Sequence, residues 1–429
     1  MVLHRLGVRG DLVDERHRRH EVAEAVGALD LLAGLRPFGQ RRELGGDLVF
    51  GELDERHRTE SVVLRAICSR TLSHANLRAD APMQEPSLQV PPAAPADDRP
   101  RTTRLAPTPS GSLHVGNART FLLNWALARA EGWRIVLRLE DLDIGRVKDG
   151  ALEASIADLR ALGLDWDGEP EIQSRDLSPY RSALKALAAR GKLFRCDRSR
   201  SEIRNAASAP HSDDGETRYP PELRPTHPWP RTIDAWEANH RLRVDPAPEH
   251  VHDELVGQCA FDPGLEAGDL VVWTKQGVPA YQLAVVVDDA RHGVTDVVRG
   301  DDLLASAARQ QLLARALGLP HARWWHLPLV YGEDGKRLAK RHGSHSLREL
   351  FASGVQAERI TGWCAWSIGL IERCEPISRE ELIALTSPRR LRDAIRSRNQ
   401  QTRGAASAFT ARDLAWLTGD VPDPAAPST

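Results

Sequence analysis

The chain has 429 residues, enough for roughly two or three domains with sizeable buried cores. Lys and Arg (58) nearly balance Asp and Glu (60), so the net charge of −2 excludes a globally basic polyanion binder and leaves any nucleic-acid surface to be local. Five scattered cysteines without a Cys-x-x-Cys pair, no apolar run near the ~18 residues of a membrane helix, and no signal-peptide core predict free thiols, no membrane partner and a cytoplasmic protein.

Residues 1–100 differ from the rest and contain no Lys, Trp or Tyr. Asp-Glu-Arg-His-Arg occurs at 14–18 and again at 54–58, too few copies for a repeat architecture. Residues 80–100 are rich in Pro, Ala and Asp and read as a linker. Met83 is the one methionine besides Met1, which leaves two readings of 1–82: an over-called extension before a start at Met83, or a small helical appendage.

From 101 the pattern alternates strand and helix, as an α/β domain does. Thr102–Ala106 is predicted as a strand, 117–131 as a helix, and Arg134–Leu139 as a strand. Apolar residues at three-to-four spacing predict helices over 152–162 and 179–190. Residues 196–240 are polar and Pro-rich, an insertion. Sheet signals return at 269–274 and 283–287, followed by a helix over 303–317 and an apolar strand over 325–330. The Trp324-Trp325 pair is expected in the core. From Ser346 the chain reads as helical and ends in a Pro/Ala tail.

Where the first strand turns toward the first helix stands Arg104-Leu-Ala-Pro-Thr-Pro-Ser-Gly-Ser-Leu-His-Val-Gly-Asn-Ala-Arg. A helix N-terminus presents free backbone N–H groups and a dipole that favours anions. His114 can reach a phosphate oxygen there, and Gly116 leaves room for a nucleotide. His-x-Gly alone is weak, and the basic run Lys336-Arg-Leu-Ala-Lys340-Arg-His-Gly alone reads as a solvated turn. Together they point to ATP chemistry at an α-phosphate.

These blocks, with Leu-Arg-Leu-Glu-Asp-Leu-Asp (137–143), Ala-Tyr-Gln-Leu-Ala-Val-Val-Val-Asp-Asp (280–289), Gly-Val-Thr-Asp-Val-Val-Arg-Gly-Asp-Asp-Leu-Leu (293–304) and Ile-Thr-Gly-Trp-Cys-Ala-Trp-Ser-Ile-Gly-Leu (360–370), carry a resemblance. The segment 101–373 resembles the catalytic core of the class I glutamyl-tRNA synthetases. Its sub-pattern looks most like their short paralogues, the glutamyl-queuosine tRNA(Asp) synthetases. The resemblance implies an α/β fold with a Rossmann-like parallel sheet over 101–345, interrupted by an insertion at about 196–255. It also implies a helical segment over 346–429 and no anticodon-binding domain, because the stretch after Arg341 is too short for one.

By the same resemblance, 107–117 is the HIGH motif and 337–341 the KMSKS loop, with Ala339 where Ser is common. His114, Gly116, Asn117 and Lys340 would bind ATP, with His114 and Lys340 catalytic, and Mg²⁺ would arrive with the triphosphate. Arg104, Ala106, Thr108 (where Ser is usual), Glu140, Tyr281 and Arg299 would bind L-glutamate. The anticodon loop of tRNA(Asp) would enter the catalytic cleft, and the protein would be a monomer. The paralogue's zinc ligands correspond to Cys196-Asp197-Arg198 and Tyr219-Pro-Pro-Glu-Leu223; two thiolates are absent, His211 does not replace them, and no zinc is expected. Two other readings stay open: a truncated synthetase charging a tRNA 3′ end, and a non-catalytic glutamate- or ATP-binding paralogue.

Overall fold

The structure, a computed structural model, describes residues 99–143, 145, 147–206, 218–226, 228–336, 338, 346–401, 407–421 and 424. The expectations for 1–82 and for most of the linker fall outside the described residues. β1 (Thr102–Leu105) is wholly buried. It passes through α1 (Val115–Ala130) into β2 (Arg134–Leu139), which pairs parallel to it from Thr102↔Arg134 to Leu105↔Leu137. Parallel neighbours need such a crossover. Leu122, Leu123, Trp125, Ala126 and Leu127 are all buried in α1, since the sheet lies on one side and C-terminal helices on another. After α2 (Ala151–Ala161), β3 (Glu171–Ile172) adds parallel to β2.

Next come α3 (Ser178–Ala189), β4 (Leu193–Cys196), β5 (Asn239–Leu242), β6 (Glu249–Asp253), β7 (Gly257–Phe261), β8 (Leu270–Trp273) and α4 (Tyr281–Arg291). β4, β5 and β8 form an antiparallel sheet of their own. The second half then runs through β9 (Asp296–Gly300), α5 (Leu304–Leu317), β10 (Arg323–Leu327) and β11 (Val330–Gly332). The C-terminal part comprises α6 (Leu347–Ala352), α7 (Ala357–Ile368), α8 (Arg379–Leu385), α9 (Pro388–Gln401), β12 (Ser407–Phe409) and α10 (Ala411–Thr418).

The second sheet has the order β7-β6-β10-β9, with β9, β10 and β6 parallel. Thr102 N–H donates to Thr295 Oγ1 at 2.9 Å, Thr295 N–H donates to the Thr102 carbonyl at 2.9 Å, and Arg101 pairs with Asp296, so β1 lies beside the start of β9. From that seam the chain builds outward in one direction through β2 and β3 and in the other through β10. A crevice outside the carboxyl ends of strands at such a reversal is where open α/β sheets bind ligands.

Four expectations need correction. The run 283–287 is not a strand but the middle of α4; every residue from Gln282 to Ala290 is buried, so the helix has no polar stripe and its β-branched run imitates a buried strand. The strand expected over 325–330 is two strands, β10 and β11, separated at Pro328, which has no N–H to give a ladder. Residues 249–253, placed inside the insertion by the sequence, are β6 and rejoin the central sheet at Trp324↔Asp253. The region expected to be helical contains β12, which pairs parallel with β11 from Val330↔Ser407 to Gly332↔Phe409. Trp324 and Trp325 are buried, as expected.

The insertion packs around its own aromatic cluster. Phe194 lies 5.0 Å from the Trp229 ring and 5.7 Å from that of Tyr219, and Cys196 is buried beside them. Cys196 Sγ meets Tyr219 Oη at 3.8 Å, and that hydroxyl donates to the Leu223 carbonyl at 2.8 Å. Arg198 is half exposed and pairs with Glu202. His211 falls outside the described residues.

Candidate active site

A cavity of about 730 Å³ opens at the carboxyl ends of β1, β2 and β9. Nine of the residues singled out from the sequence line it: Arg104, Ala106, Thr108, His114, Gly116, Asn117, Glu140, Tyr281 and Arg299. The tenth, Lys340, falls outside the described residues with 337 and 339–345; Leu338 is described and lines the cavity.

The loop between β1 and α1 is fixed from two sides. Asp158 on α2 accepts from Ser112 Oγ at 3.2 Å and from Leu113 N–H at 3.0 Å. Leu347 N–H, at the start of α6, donates to the Leu113 carbonyl at 2.8 Å. Gly111, with φ +136°, supplies a backbone conformation that side-chain-bearing residues rarely adopt.

His114 caps α1. Its Nδ1 accepts the Asn117 N–H at 3.4 Å, and Asn117 Oδ1 accepts the His114 N–H at 3.3 Å, a reciprocal cap. An imidazole accepting at Nδ1 carries its proton, when neutral, on Nε2. Asn117, expected to meet ATP, thus spends its side-chain oxygen on the His114 backbone, while its own N–H holds the imidazole. A Cβ on Gly116 would come within 3.1 Å of His114 Cε1 and 3.2 Å of Nδ1, so the glycine gives the ring its place.

Two cations and one carboxylate define the deep end. Arg104, buried at the end of β1, donates to the Val298 carbonyl at 3.2 Å and pairs with Asp289 at 3.6 Å. Arg299 donates from Nε to His326 Nε2 at 3.0 Å, from Nη1 to Gln310 Oε1 at 2.9 Å and from Nη2 to the Leu303 carbonyl at 3.0 Å. Burial lowers its guanidinium from the ordinary range, and the charge of Arg104 adds to that. Glu140 directly follows β2, and Arg138 Nη2 donates to it at 3.0 Å. Burial raises the Glu140 carboxyl above its ordinary value even though Arg138 and Arg104 oppose the shift.

Tyr281 opens α4 and is 42% exposed, unlike the buried residues that follow it. Behind Glu140, Arg138 is fully buried with Asp289 at 2.7 Å and Asp288 at 3.9 Å. Asp288 accepts from Tyr180 Oη at 2.9 Å and from Gln173 Nε2 at 2.8 Å. These carboxylates outweigh the burial that disfavours the Arg138 cation and hold its guanidinium charged.

Sequence reasoning missed Asp302 and Arg309, which also line the cavity, and the supporting set Arg138, Asp289, Gln310, His326 and Asp253. Two carried a local signal: an Arg on the buried side of α5, and a His within the apolar run of β10. Among the described residues, no group of three or more His, Cys, Asp or Glu is placed to hold a metal, and no helix is long and apolar enough to cross a membrane.

Residues 101–397 match the family described as tRNA synthetases class I (E and Q), catalytic domain. A Glutamyl-Q tRNA(Asp) synthetase of Symbiobacterium thermophilum is 46% identical over 65% of this chain and 90% of the relative. One of Nocardia farcinica is 44% identical over 67% of this chain and 90% of the relative. In fold, the chain is similar to a glutamate tRNA ligase from Elizabethkingia meningosepticum solved in complex with its amino acid, with a TM-score of 0.60 and 21% identity over 74% of this chain and 69% of that one.

Proposed function

The chain belongs to the class I tRNA synthetases for E and Q, with relatives named Glutamyl-Q tRNA(Asp) synthetase, and from that membership we propose that it activates L-glutamate with ATP and transfers it to queuosine at the wobble position of tRNA(Asp). A carboxylate oxygen of glutamate attacks the α-phosphorus, the bond to the bridging oxygen breaks, and pyrophosphate leaves. A hydroxyl of the queuosine cyclopentene ring then attacks the acyl carbon, loses its proton, and AMP departs.

The observation that supports this reading is the convergence of nine motif residues on one cavity at the sheet reversal, with cations and a carboxylate at its deep end. Arg104 and Arg299 present guanidinium groups to the carboxylates of the substrate, where planar paired donors suit them. Glu140 accepts from the α-ammonium group, and Tyr281 offers its hydroxyl. His114 donates from Nε2 to a phosphate oxygen, while the free N–H groups at the start of α1 add their dipole. Lys340 neutralises the triphosphate.

Mg²⁺, where bound, adds positive charge at the phosphate oxygens. The described cavity wall offers no cluster of three acidic or imidazole ligands, so ATP and water would supply most of its coordination. The anticodon loop enters as a single strand, and the protein acts as a monomer.

The test is transfer of labelled glutamate to queuosine-containing tRNA(Asp), with queuosine-lacking tRNA(Asp) and tRNA(Glu) as controls, before and after oxidation of the 3′-terminal ribose. Label confined to the queuosine-containing tRNA and resistant to that oxidation is the expected result. Oxidation-sensitive label on tRNA(Glu) would instead make the protein a 3′-end charging enzyme, and no label beside an active control enzyme would make it a binding paralogue.

A further inference from the structure

Arg299 does not choose its own orientation. Three of its five N–H groups are spent on protein acceptors: His326 Nε2, Gln310 Oε1 and the Leu303 carbonyl. The Trp324 ring lies 4.9 Å from its guanidinium carbon. The hydrogens those bonds leave over, one on each terminal nitrogen, define the part of the fork that a ligand carboxylate can use.

His326 stands on β10, fully buried, and is not among the residues lining the cavity. Its Nε2 can accept from Arg299 only if the imidazole is neutral with its proton on Nδ1. Asp253 on β6 enforces that tautomer: its Oδ2 lies 2.7 Å from Nδ1 and also accepts the His326 N–H at 3.1 Å. The other oxygen of Asp253 accepts the Leu255 and Val256 N–H groups at 2.9 and 2.8 Å. The carboxylate is therefore fixed by backbone, the imidazole by the carboxylate, and the guanidinium by the imidazole, across three adjacent strands. A buried His–Asp pair needed only to join strands would not have to present its second nitrogen to a cavity cation.

We infer that His326, held by Asp253 as a neutral acceptor, is a positioning residue that aims Arg299 and so sets the selection of an acidic amino-acid side chain. This rests on the reading that Arg299 meets the side-chain carboxylate of glutamate. An acceptor lost from a charged donor is typically a 10–100-fold effect, roughly. It should fall on glutamate alone, because Arg299 faces the amino acid and the pose of His114 is set by separate contacts.

The experiment is glutamate-dependent exchange of labelled pyrophosphate into ATP by the full chain, without RNA, for the parent, His326→Leu and His326→Gln. No exchange by the parent would sink the glutamate reading itself, separately from this inference. Given exchange, His326→Leu should raise KM for glutamate by ~30-fold while KM for ATP and kcat stay within about threefold. Gln can accept from Arg299 and donate to Asp253, so His326→Gln should restore most of the loss. An unchanged KM for glutamate in folded His326→Leu would overturn the inference, as would a parallel loss in all three constants that Gln does not rescue. If the Leu variant does not fold, Asp253→Asn carries the same comparison: it frees the imidazole and should raise KM for glutamate by roughly fivefold, and no rise there overturns the inference equally.

Discussion

Glu140 shows how a residue can be placed for a ligand at the expense of the empty fold. Burial raises its carboxyl despite Arg138 at 3.0 Å, so its ionised form is under-compensated until another cation arrives. The ammonium group of an amino acid is such a cation. Glu140→Gln removes the under-compensated charge but keeps the shape, and Arg138 retains Asp289 at 2.7 Å and Asp288 at 3.9 Å. The variant should melt no lower than the parent at neutral pH while its Kd for glutamate rises by roughly 10–100-fold. Calorimetric titration beside a thermal melt reads both, and a lower Tm with unchanged affinity would make Glu140 a purely structural ion-pair partner. At this scale the sequence was informative about the residues facing the cavity, since their motif blocks are contiguous. It could not pair those behind them: Asp253 and His326 are 73 positions apart and meet only through the register of β6 on β10.

Among elements, α1 does most to build the site, and its first turn opposes its own helical preference. Gly116 is a poor helix residue, and replacing such a glycine with Ala ordinarily stabilises by roughly 0.5–1 kcal/mol. Here the new Cβ would sit 3.1 Å from His114 Cε1 and 3.7 Å from Val330 Cβ, so the imidazole must give by a few tenths of an ångström and its contact with the Asn117 N–H is disturbed. Gly116→Ala is therefore expected to hold Tm while pyrophosphate exchange falls by roughly tenfold, less than the loss of a whole oxyanion donor. Equal activity in the two proteins would mean that His114 is not confined by this contact. The helix itself was legible because the Pro, Ser and Gly of 107–112 break the strand before it. α4 was not, because burial on every side erased the polar stripe that marks a helix. β12 was not, because a three-residue strand acquires its identity only from β11, more than seventy positions earlier.

Across the whole molecule, acid stability separates groups that no local reading can rank. Burial lowers the imidazoles of both His326 and His292 below their ordinary 6.5. Between each folded value and 6.5, the unfolded chain binds a proton that the folded chain refuses, so stability must fall as pH drops through that window. Glu140 and Asp301 act in the opposite sense. Burial raises both, so above their ordinary 4.5 and 3.8 the folded chain takes up protons first and gains stability on acidification. Asp296, held below 3.8 against its burial by hydrogen bonds from Arg101 and Thr295, loses its contribution only in stronger acid. Below 6.5 the two imidazoles therefore work against stability. His292 isolates it: neither ring nitrogen has a hydrogen-bond partner among the described residues, so His292→Gln removes the titration without breaking a hydrogen bond of the ring. From about pH 7.5 to about pH 5.5 the parent should lose Tm relative to the variant. Identical slopes would place the loss on His326 alone, where the same comparison with His326→Gln must then show it; one common slope for the parent and both variants would mean that neither ring stays neutral in the fold.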